Sequence, residues 1–368
     1  MRLKPGFIVL SLIISVLIHS VSLAQRSPVH YDVRALGMGN AYTANAPGTS
    51  ALYYNPAMLG KTGFHLEVLA ARATMNTRLL KAIKFVRDNT DKFRDFETLS
   101  PSEASQFLKD MEPYDDQYYG FHATPALGLT LGHFGIGSYV DGSPDMKLDK
   151  GIYIPRIYAK GYIDWVTTAG YGRQINVPAF NNFYAGAAVK YIRRYTAPEV
   201  KVNATEVSQM DQLAQTMLDT LQSPVSGFAV DLGTVFSPAR NLDVGLAIQN
   251  IGSIDGESFT PSFNVGAAYK FTTVAALPLI HNLTVTGDYR DFFNQQGVSF
   301  FNHLHLGAEF GFLNFALRAG VNQGYFTAGA GINLAIIHLD YAYYGQELGQ
   351  APGWQPNLNH MLQLKVGF

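Results

Sequence analysis

GFAVDLGTVFSPARNLDVGLAIQN, residues 227–250, contains two segments whose side chains alternate with a period of two. In the first, the even-numbered residues are mainly apolar or aromatic, and the residues between them include Asp231 and Gly233. In the second, the apolar residues are Leu242, Val244, Leu246 and Ile248. This alternation indicates β-strands with one apolar face, and the stretch SPARN between the segments is typical of a short turn.

The same alternation recurs along most of the chain, as in NLTVTGDYR, HLHLGAEF, NFALRAGV, IHLDYAYY and HMLQLKVGF. Each segment is close to the roughly 10 residues that a tilted membrane-spanning strand requires. Connections after most odd-numbered segments are long and polar, and those after even-numbered segments are shorter, as in outer-membrane barrels with both termini in the periplasm. The pattern predicts an all-β fold, a transmembrane antiparallel β-barrel of about fourteen strands. The strands should begin near Phe64, Phe121, Phe134, Ile157, Asn182, Val225, Asn241, Ser262, Asn282, His303, Asn314, Gly324, Ile337 and His360.

Composition favours a membrane barrel over a soluble β-sandwich, which would also alternate. Charged residues make up 15% of the chain, against a usual value of about 25%. The chain has 21 Tyr, 24 Phe and 35 Gly. On each strand, the face opposite the apolar one carries small residues as well as polar ones. A solvent-facing strand would carry more Lys, Glu and Thr, whereas small inward residues suit a barrel that encloses something. The net charge of −1 gives no electrostatic case for nucleic acid.

Residues 1–24 read as a secretory signal peptide. Arg2 and Lys4 precede an apolar stretch, and Ser22 and Ala24 form a small-x-small cleavage site before Gln25. A transmembrane anchor is the alternative, but the cleavage site follows the apolar stretch closely. The chain has no cysteine, which excludes thiol nucleophiles and cysteine-ligated metals. We therefore expect an integral protein of the bacterial outer membrane whose mature form begins at Gln25.

Two connections within the barrel region, residues 63–368, have helical patterns. They lie near 77–115 and 203–222, and Ser102 is the expected N-cap of the helix EASQFLKDM. By the strand count both insertions lie outside the cell. They would either contact a ligand or cover the rim of the barrel.

The stretch ALGMGNAYTANAPGTSALYYNPAML, residues 35–59, precedes the first strand and is uncharged and rich in small residues. A backbone of this kind can pack closely against a wall, and turns made by Gly, Asn and Pro satisfy their own polar groups. We expect residues 25–62 to form a plug, or hatch, inside the barrel.

This stretch resembles the hatch of the FadL superfamily, outer-membrane transporters of long-chain fatty acids and other hydrophobic compounds. The resemblance rests on Gly37, Gly39 and the triplet Asn55-Pro56-Ala57. It implies a fourteen-stranded barrel that passes hydrophobic small molecules through a plugged lumen. The stretch is even more similar to a branch that includes PorV. That similarity implies the alternative, a binding or secretion factor of a type IX-like system whose barrel anchors loops that hold a partner protein. A purely structural surface protein is a third reading.

Individual candidate residues are few. The alternation places ten charged residues on the inward face: Lys190, Asp231, Asp243, Lys270, Asp288, Arg290, Glu309, Arg318, Asp340 and Lys365. Their mixed signs favour internal pairing, although Arg290 or Arg318 could bind a ligand carboxylate. The C-terminal Phe368 resembles the signal read by the barrel assembly machinery.

Neither catalysis nor a metal is expected. No Gly-x-Ser-x-Gly elbow or His-Glu-x-x-His motif is present. His303 and His305 share a strand face, but such a pair is more typical of polar lumen lining than of a metal site. We expect no enzyme activity and no cofactor.

Overall fold

The computed structural model describes residues 27–28, 30–115, 117–151, 154–178, 180–203, 219, 223–271 and 281–368. Fourteen antiparallel strands form one closed barrel, as predicted. Their bounds are β1 His65–Asn76, β2 Gln117–Leu131, β3 Phe134–Asp149, β4 Arg156–Val177, β5 Phe180–Asn203, β6 Val225–Ala239, β7 Leu242–Ile254, β8 Ser262–Phe271, β9 His281–Tyr289, β10 Leu304–Phe312, β11 Phe315–Asn322, β12 Tyr325–Leu334, β13 Ile337–Glu347 and β14 Pro356–Gly367. The predicted signal peptide, residues 1–24, lies outside the described residues.

Each strand pairs with its neighbours in sequence, and β1 pairs with β14 to close the wall, for example Leu69 with Val366. A two-residue strand, Glu257–Ser258, extends the ladder at the end of β7. Closure gives each of the fourteen described strands a paired neighbour on both sides, which is what a spanning sheet requires where water is absent. We call the end of the barrel that carries Phe368 and the short turns the turn end, and the opposite end the loop end.

The faces of the strands follow the predicted register. On β7, Asp243, Gly245 and Ala247 are buried, whereas Leu246 and its apolar neighbours on the alternate positions are part-exposed. A one-residue slip would have reversed this assignment, so the prediction that Leu242, Val244, Leu246 and Ile248 face outward is confirmed. Of the ten charged residues predicted to face inward, Lys270 is the one that is exposed, near the end of β8.

The wall has uneven height. Strands β4 and β5 have 22 and 24 residues, whereas β11 has 8. Strand β2 begins at Gln117 and β14 at Pro356, each four residues before the predicted start. The sequence alternation marked the apolar part of these strands, but the hydrogen-bonded ladder continues beyond it toward the loop end.

The described helices are short. Helices α1 Val33–Gly37 and α2 Ala51–Tyr54 precede the barrel, and α3 Leu79–Asp88, α4 Thr90–Arg94 and α5 Pro101–Met111 follow β1. Among the described residues, no helix is long and apolar enough to cross a membrane.

Helices α3 to α5 lie within the stretch 77–115, for which a helical insertion was predicted, and cover part of the loop end. Phe93 and Phe107 pack edge to face, with ring centroids 4.9 Å apart, over Leu148 and Ile157 of the wall. The second predicted insertion, 203–222, lies almost wholly outside the described residues.

The N-cap predicted for α5 was wrong. Ser100, rather than Ser102, caps the helix, and it forms a capping box with Glu103. Pro101 occupies the first helical position, where its fixed φ and missing N–H are tolerated. The helix therefore begins two residues earlier than the apolar pattern indicated.

Candidate functional site

Residues 30–62 lie inside the barrel toward its turn end, and we call them the inner segment. The Asp32 carboxylate caps α1 by accepting from the Arg34 and Ala35 N–H groups at 2.8 and 3.2 Å. It also accepts from Ser50 Oγ at 2.5 Å. Burial alone would raise the pKa of Asp32, but the positive charges of Lys365 and Arg72 and the Ser50 hydrogen bond outweigh burial and lower the pKa to about 2.

The Asn55-Pro56-Ala57 triplet joins two turns of the inner segment to the wall. Asn55 is fully buried; its amide donates to Thr43 O at 2.9 Å and to Thr234 O on β6 at 3.2 Å. Its Oδ1 accepts from the Ala57 N–H at 3.1 Å. Pro56 begins the 3₁₀ turn Pro56–Lys61. The triplet therefore sets a turn and fastens it to a strand.

Glycines on the wall make room for this turn. A Cβ at Gly172 or Gly186 would lie 2.4 Å from Pro56 O, and one at Gly233 would lie 1.9 Å from Asn55 Oδ1. Real Cβ atoms do not approach so closely, so these inward positions require glycine. The small inward face noted in the sequence is thus matched to the segment that it encloses.

At Gly37 and Gly39 the backbone of the inner segment again lies close to the wall, on the opposite side of the barrel. Gly39 has φ +63°, and a Cβ there would lie 2.2 Å from Leu306 O. Its N–H donates to Thr327 Oγ1 at 3.1 Å, and Thr327 in turn donates to Gly37 O at 3.2 Å. Both glycines therefore allow the backbone of α1 to lie directly on the wall.

Charged wall residues anchor the inner segment at several points. Asp288 Oδ2 accepts from the Tyr42 and Thr43 N–H groups at 2.8 and 2.9 Å and from Thr43 Oγ1 at 2.7 Å. Lys61 Nζ lies 2.7 Å from Asp243 Oδ1. Because these groups are largely removed from water, leaving one without its partner would cost more than a surface pair contributes.

The two candidate arginines have different surroundings. Arg318 donates to Glu309 Oε2 and Asp340 Oδ1, both at 2.7 Å, and Glu309 also accepts from Arg34 Nε at 2.7 Å. Arg318 is therefore engaged in a network between wall and inner segment. Arg290 donates to Asn40 O, lies 3.7 Å from Asp288 Oδ2 and lines a cavity, and its Nε has no hydrogen-bond partner.

Phe368 lies at the closing seam. Its N–H donates to Leu66 O at 2.9 Å and its ring centroid is 5.8 Å from that of Phe64. The side chain is 59% exposed on the outer surface. It is thus accessible at the turn end of the strand pair that completes the barrel.

Two cavities lie above the inner segment, toward the loop end, with volumes of about 510 and 490 Å³. His30 and Tyr31, at the start of the inner segment, line both cavities. The His30 ring stacks on Tyr53 at 4.0 Å and meets Tyr139 edge-on at 4.8 Å. Burial, reinforced by the charge of Arg72, lowers the pKa of His30 well below its usual value, so the imidazole is neutral at pH 7.

The cavity lining is amphipathic. Tyrosine rings and amide groups line both cavities. Positive groups come from Lys190 and Arg290 in the larger cavity and from Arg72 and Lys160 in the smaller, and carboxylates come from Asp291 and Glu347 in the larger and from Asp141 in the smaller. Lys190 is held by Asp231 at 2.7 Å. Sequence reasoning placed Lys190 on the inward face but missed Arg72 and the tyrosines, because nothing local marks residues that meet only across the lumen.

The ladder between β2 and β3 is interrupted beside the smaller cavity, where His122 Nδ1 lies 2.7 Å from Gly142 O. Strands β2 and β3 pair at 117–120 with 145–148 and at 126–131 with 134–139, in one register. Residues 121–125 of β2 have no ladder partner on β3. Pro125 lies in this interval and has no N–H to donate. His122 and Thr124, which line the cavity, lie in the same interval.

The histidine pair considered for a metal is engaged elsewhere. His305 Nδ1 lies 2.7 Å from Asn322 Oδ1, and His303 Nε2 lies 3.1 Å from Asn294 Oδ1. Within the part of the chain that the structure describes, no group of three or more His, Asp or Glu side chains is placed to hold a metal ion.

A closed fourteen-stranded barrel with an N-terminal segment in its lumen is the fold of FadL-type outer-membrane channels, so the predicted resemblance is confirmed at the level of the fold. The TodX monoaromatic hydrocarbon channel deltaS2 mutant superposes with a TM-score of 0.55 at 12% identity, covering 92% of this chain and 97% of that chain. The TodX deltaS2S3 mutant gives 0.52 at 11% identity, over 92% and 98%. The Pseudomonas putida toluene transporter TodX gives 0.50 at 11%, over 94% and 98%. No protein-family model and no curated protein sequence matches the chain.

Proposed function

We propose that the protein is an outer-membrane channel that takes up hydrophobic or amphiphilic small molecules. The observation that carries this proposal is the inner segment, whose residues 35–59 are uncharged and buried in the turn end of a closed barrel below two tyrosine-lined cavities. Barrels of the same fold described as a monoaromatic hydrocarbon channel and a toluene transporter support it. A solute would enter from the loop end and bind above the segment.

The lining favours a solute with an apolar or aromatic body and one polar group. Aromatic faces of Tyr53, Tyr54 and Tyr139 supply apolar contact. Arg290 supplies a positive charge at the wall of the larger cavity, which suits a carboxylate such as that of a long-chain fatty acid. Release would follow either movement of the inner segment or passage through the ladder gap at residues 121–125.

Filling the smaller cavity tests the proposal. Thr124→Trp places a large ring in the cavity, and Ala123→Trp places the same ring on the outer face of the same strand. Cells expressing Thr124→Trp should take up a radiolabelled fatty acid or toluene more slowly than cells expressing Ala123→Trp at equal amounts of folded barrel. Equal rates for both variants and for cells without the protein would contradict a channel function.

The second candidate is the PorV-like binding or secretion factor. The helices at the loop end favour it, because they share a packed core with the wall while Leu80 and Ile83 of α3 remain 61% and 48% exposed. Exposed apolar side chains on a well-packed element are typical of a protein-contact surface. Leu80→Ser with Ile83→Ser should then abolish retention of a secreted partner while leaving solute uptake unchanged.

A further inference from the structure

The loop between β9 and β10, residues 290–303, exposes four phenylalanines. Phe292, Phe293, Phe300 and Phe301 are 53%, 55%, 59% and 57% exposed. We call these four side chains the aromatic lip. Such a concentration of large apolar groups on one loop is unfavourable in water, because apolar surface is more stable when it is removed from water. The four side chains of the lip would therefore be more stable in contact with an apolar environment.

The other side of the same loop faces the lumen. Asp291, Gln296 and Asn302 line the larger cavity. The loop is held firmly in this orientation, because Asp291 accepts from the Gln295 and Gln296 N–H groups at 3.1 and 3.2 Å. Asn302 Nδ2 also donates to Gly349 O at 3.2 Å. The outward direction of the lip is thus built into the fold.

The lip continues the apolar outer wall of the barrel. Phe263 and Tyr289 are outward residues near the loop ends of β8 and β9. The ring of Phe293 lies 5.3 Å from that of Phe263, and the ring of Phe300 lies 5.4 Å from that of Tyr289. The aromatic surface therefore runs without interruption from the strands onto the loop.

Strand length explains why the apolar surface must extend here. Strands β9 to β11 have 9, 9 and 8 residues. At about 3.4 Å per residue and a tilt of about 45°, eight residues rise only about 20 Å, whereas the apolar band of an outer-membrane barrel is about 25 Å tall. Residues 292–302 contain no charged side chain, so this stretch can enter the apolar layer without burying a charge.

We propose that the aromatic lip is immersed in the outer leaflet of the membrane and completes the lipid-facing band on the short side of the barrel. The occupant of this surface is lipid, because the surface is continuous with the lipid-facing wall and matches the height that the strands lack. The rim of the larger cavity then lies at the lipid surface rather than in bulk water. This proposal rests on the outer-membrane channel proposed above.

The absence of cysteine allows a direct test on the full chain. Single variants Phe293→Cys and Phe300→Cys would carry a nitroxide label in phosphatidylcholine vesicles. Leu246→Cys is the lipid-facing reference on β7, and Glu97→Cys, exposed among the loop-end helices, is the water-facing reference. The measurement is the accessibility of each label to oxygen, which concentrates in lipid, and to a water-soluble nickel chelate.

Labels at 293 and 300 should match the Leu246 label, with high oxygen and low nickel accessibility. Nickel accessibility equal to that of the Glu97 label, with the Leu246 label still in lipid, would overturn the proposal. Protection from both reagents would also overturn it, since this would indicate a protein contact. A Leu246 label that is itself open to nickel would instead refute the membrane barrel on which the proposal rests.

Discussion

Asn55 of the inner segment and Gly233 of β6 fit so closely that a Cβ at position 233 would lie 1.9 Å from Asn55 Oδ1. The Asn55 amide meanwhile donates to the backbone of the next wall residue, Thr234, at 3.2 Å. Segment and wall are therefore complementary at this contact in both shape and hydrogen bonding. Changing either partner tests how firmly the inner segment is seated.

Gly233→Ala should loosen the inner segment. The added methyl group has no space, and overpacking of this kind costs roughly 1–3 kcal/mol. Gly142→Ala is the matched control, because a Cβ on that outward glycine would come no closer than 3.8 Å to any neighbour. In vesicles, Gly233→Ala should unfold at lower urea than Gly142→Ala. Equal midpoints would mean that the close contact does not constrain the segment.

Asn55→Ala should also weaken the segment, by about 1–3 kcal/mol, because it strands the buried partners of the Asn55 side chain. Asn45→Ala is the control, since Asn45 is equally part of the buried segment but its Nδ2 has no hydrogen-bond partner. We expect Asn55→Ala, and not Asn45→Ala, to show transient openings in single-channel recordings. Openings of equal frequency in both would assign the effect to lost packing alone.

The alternation around Leu246 and Asp243 was enough to predict the strands and their faces. Period-two patterning is a local property that each strand carries in its own sequence. The small inward residues, such as Gly233, likewise indicated that the lumen is filled. The uncharged composition of residues 35–59 indicated what could fill it.

The cavities could not be predicted in the same way. His30 meets Tyr139, and Tyr31 shares a cavity with Gln346, only because the barrel closes and brings distant strands together. The gap in the β2–β3 ladder also depends on two strands at once. The N-cap at Ser100 was missed for a different reason, since Pro101 extends a helix before its apolar pattern begins.

Leu246→Arg should impair assembly. The side chain faces outward, and arginine on the lipid face costs about 2–4 kcal/mol near the midplane. Leu246→Ile keeps the volume and the apolar character and should assemble normally. Heat-modifiable migration on gels measures the folded fraction of each variant. Normal folding of Leu246→Arg would contradict the assigned lipid face.

Deleting residues 35–59 should leave a folded barrel with higher single-channel conductance than the full chain. The wall ladders close without this stretch, and the stretch contains no charged residue whose loss would upset the balance of charge in the lumen. Strand content by circular dichroism should confirm that the shortened chain folds. A folded chain with unchanged, closed conductance would show that the inner segment is not what blocks the lumen.

Low pH should destabilise the inner segment, because it protonates the Asp32 carboxylate. Its folded-state pKa of about 2 lies below the unfolded value of about 3.9, so the carboxylate stabilises the fold at neutral pH. That contribution, on the order of 2 kcal/mol, is complete above about pH 4 and is lost as the pH falls toward 2. Asp32→Asn keeps an N-capping side chain but removes the charge, so it isolates this effect.

Urea unfolding, followed by the fluorescence of Trp165 and Trp354, should find the variant less stable than the wild type at pH 7 and nearly equal at pH 2. Asp88→Asn, at an exposed helical carboxylate, should change little at either pH. A gap between wild type and Asp32→Asn that stays constant from pH 7 to pH 2 would show that the charge of Asp32 does not hold the segment in place.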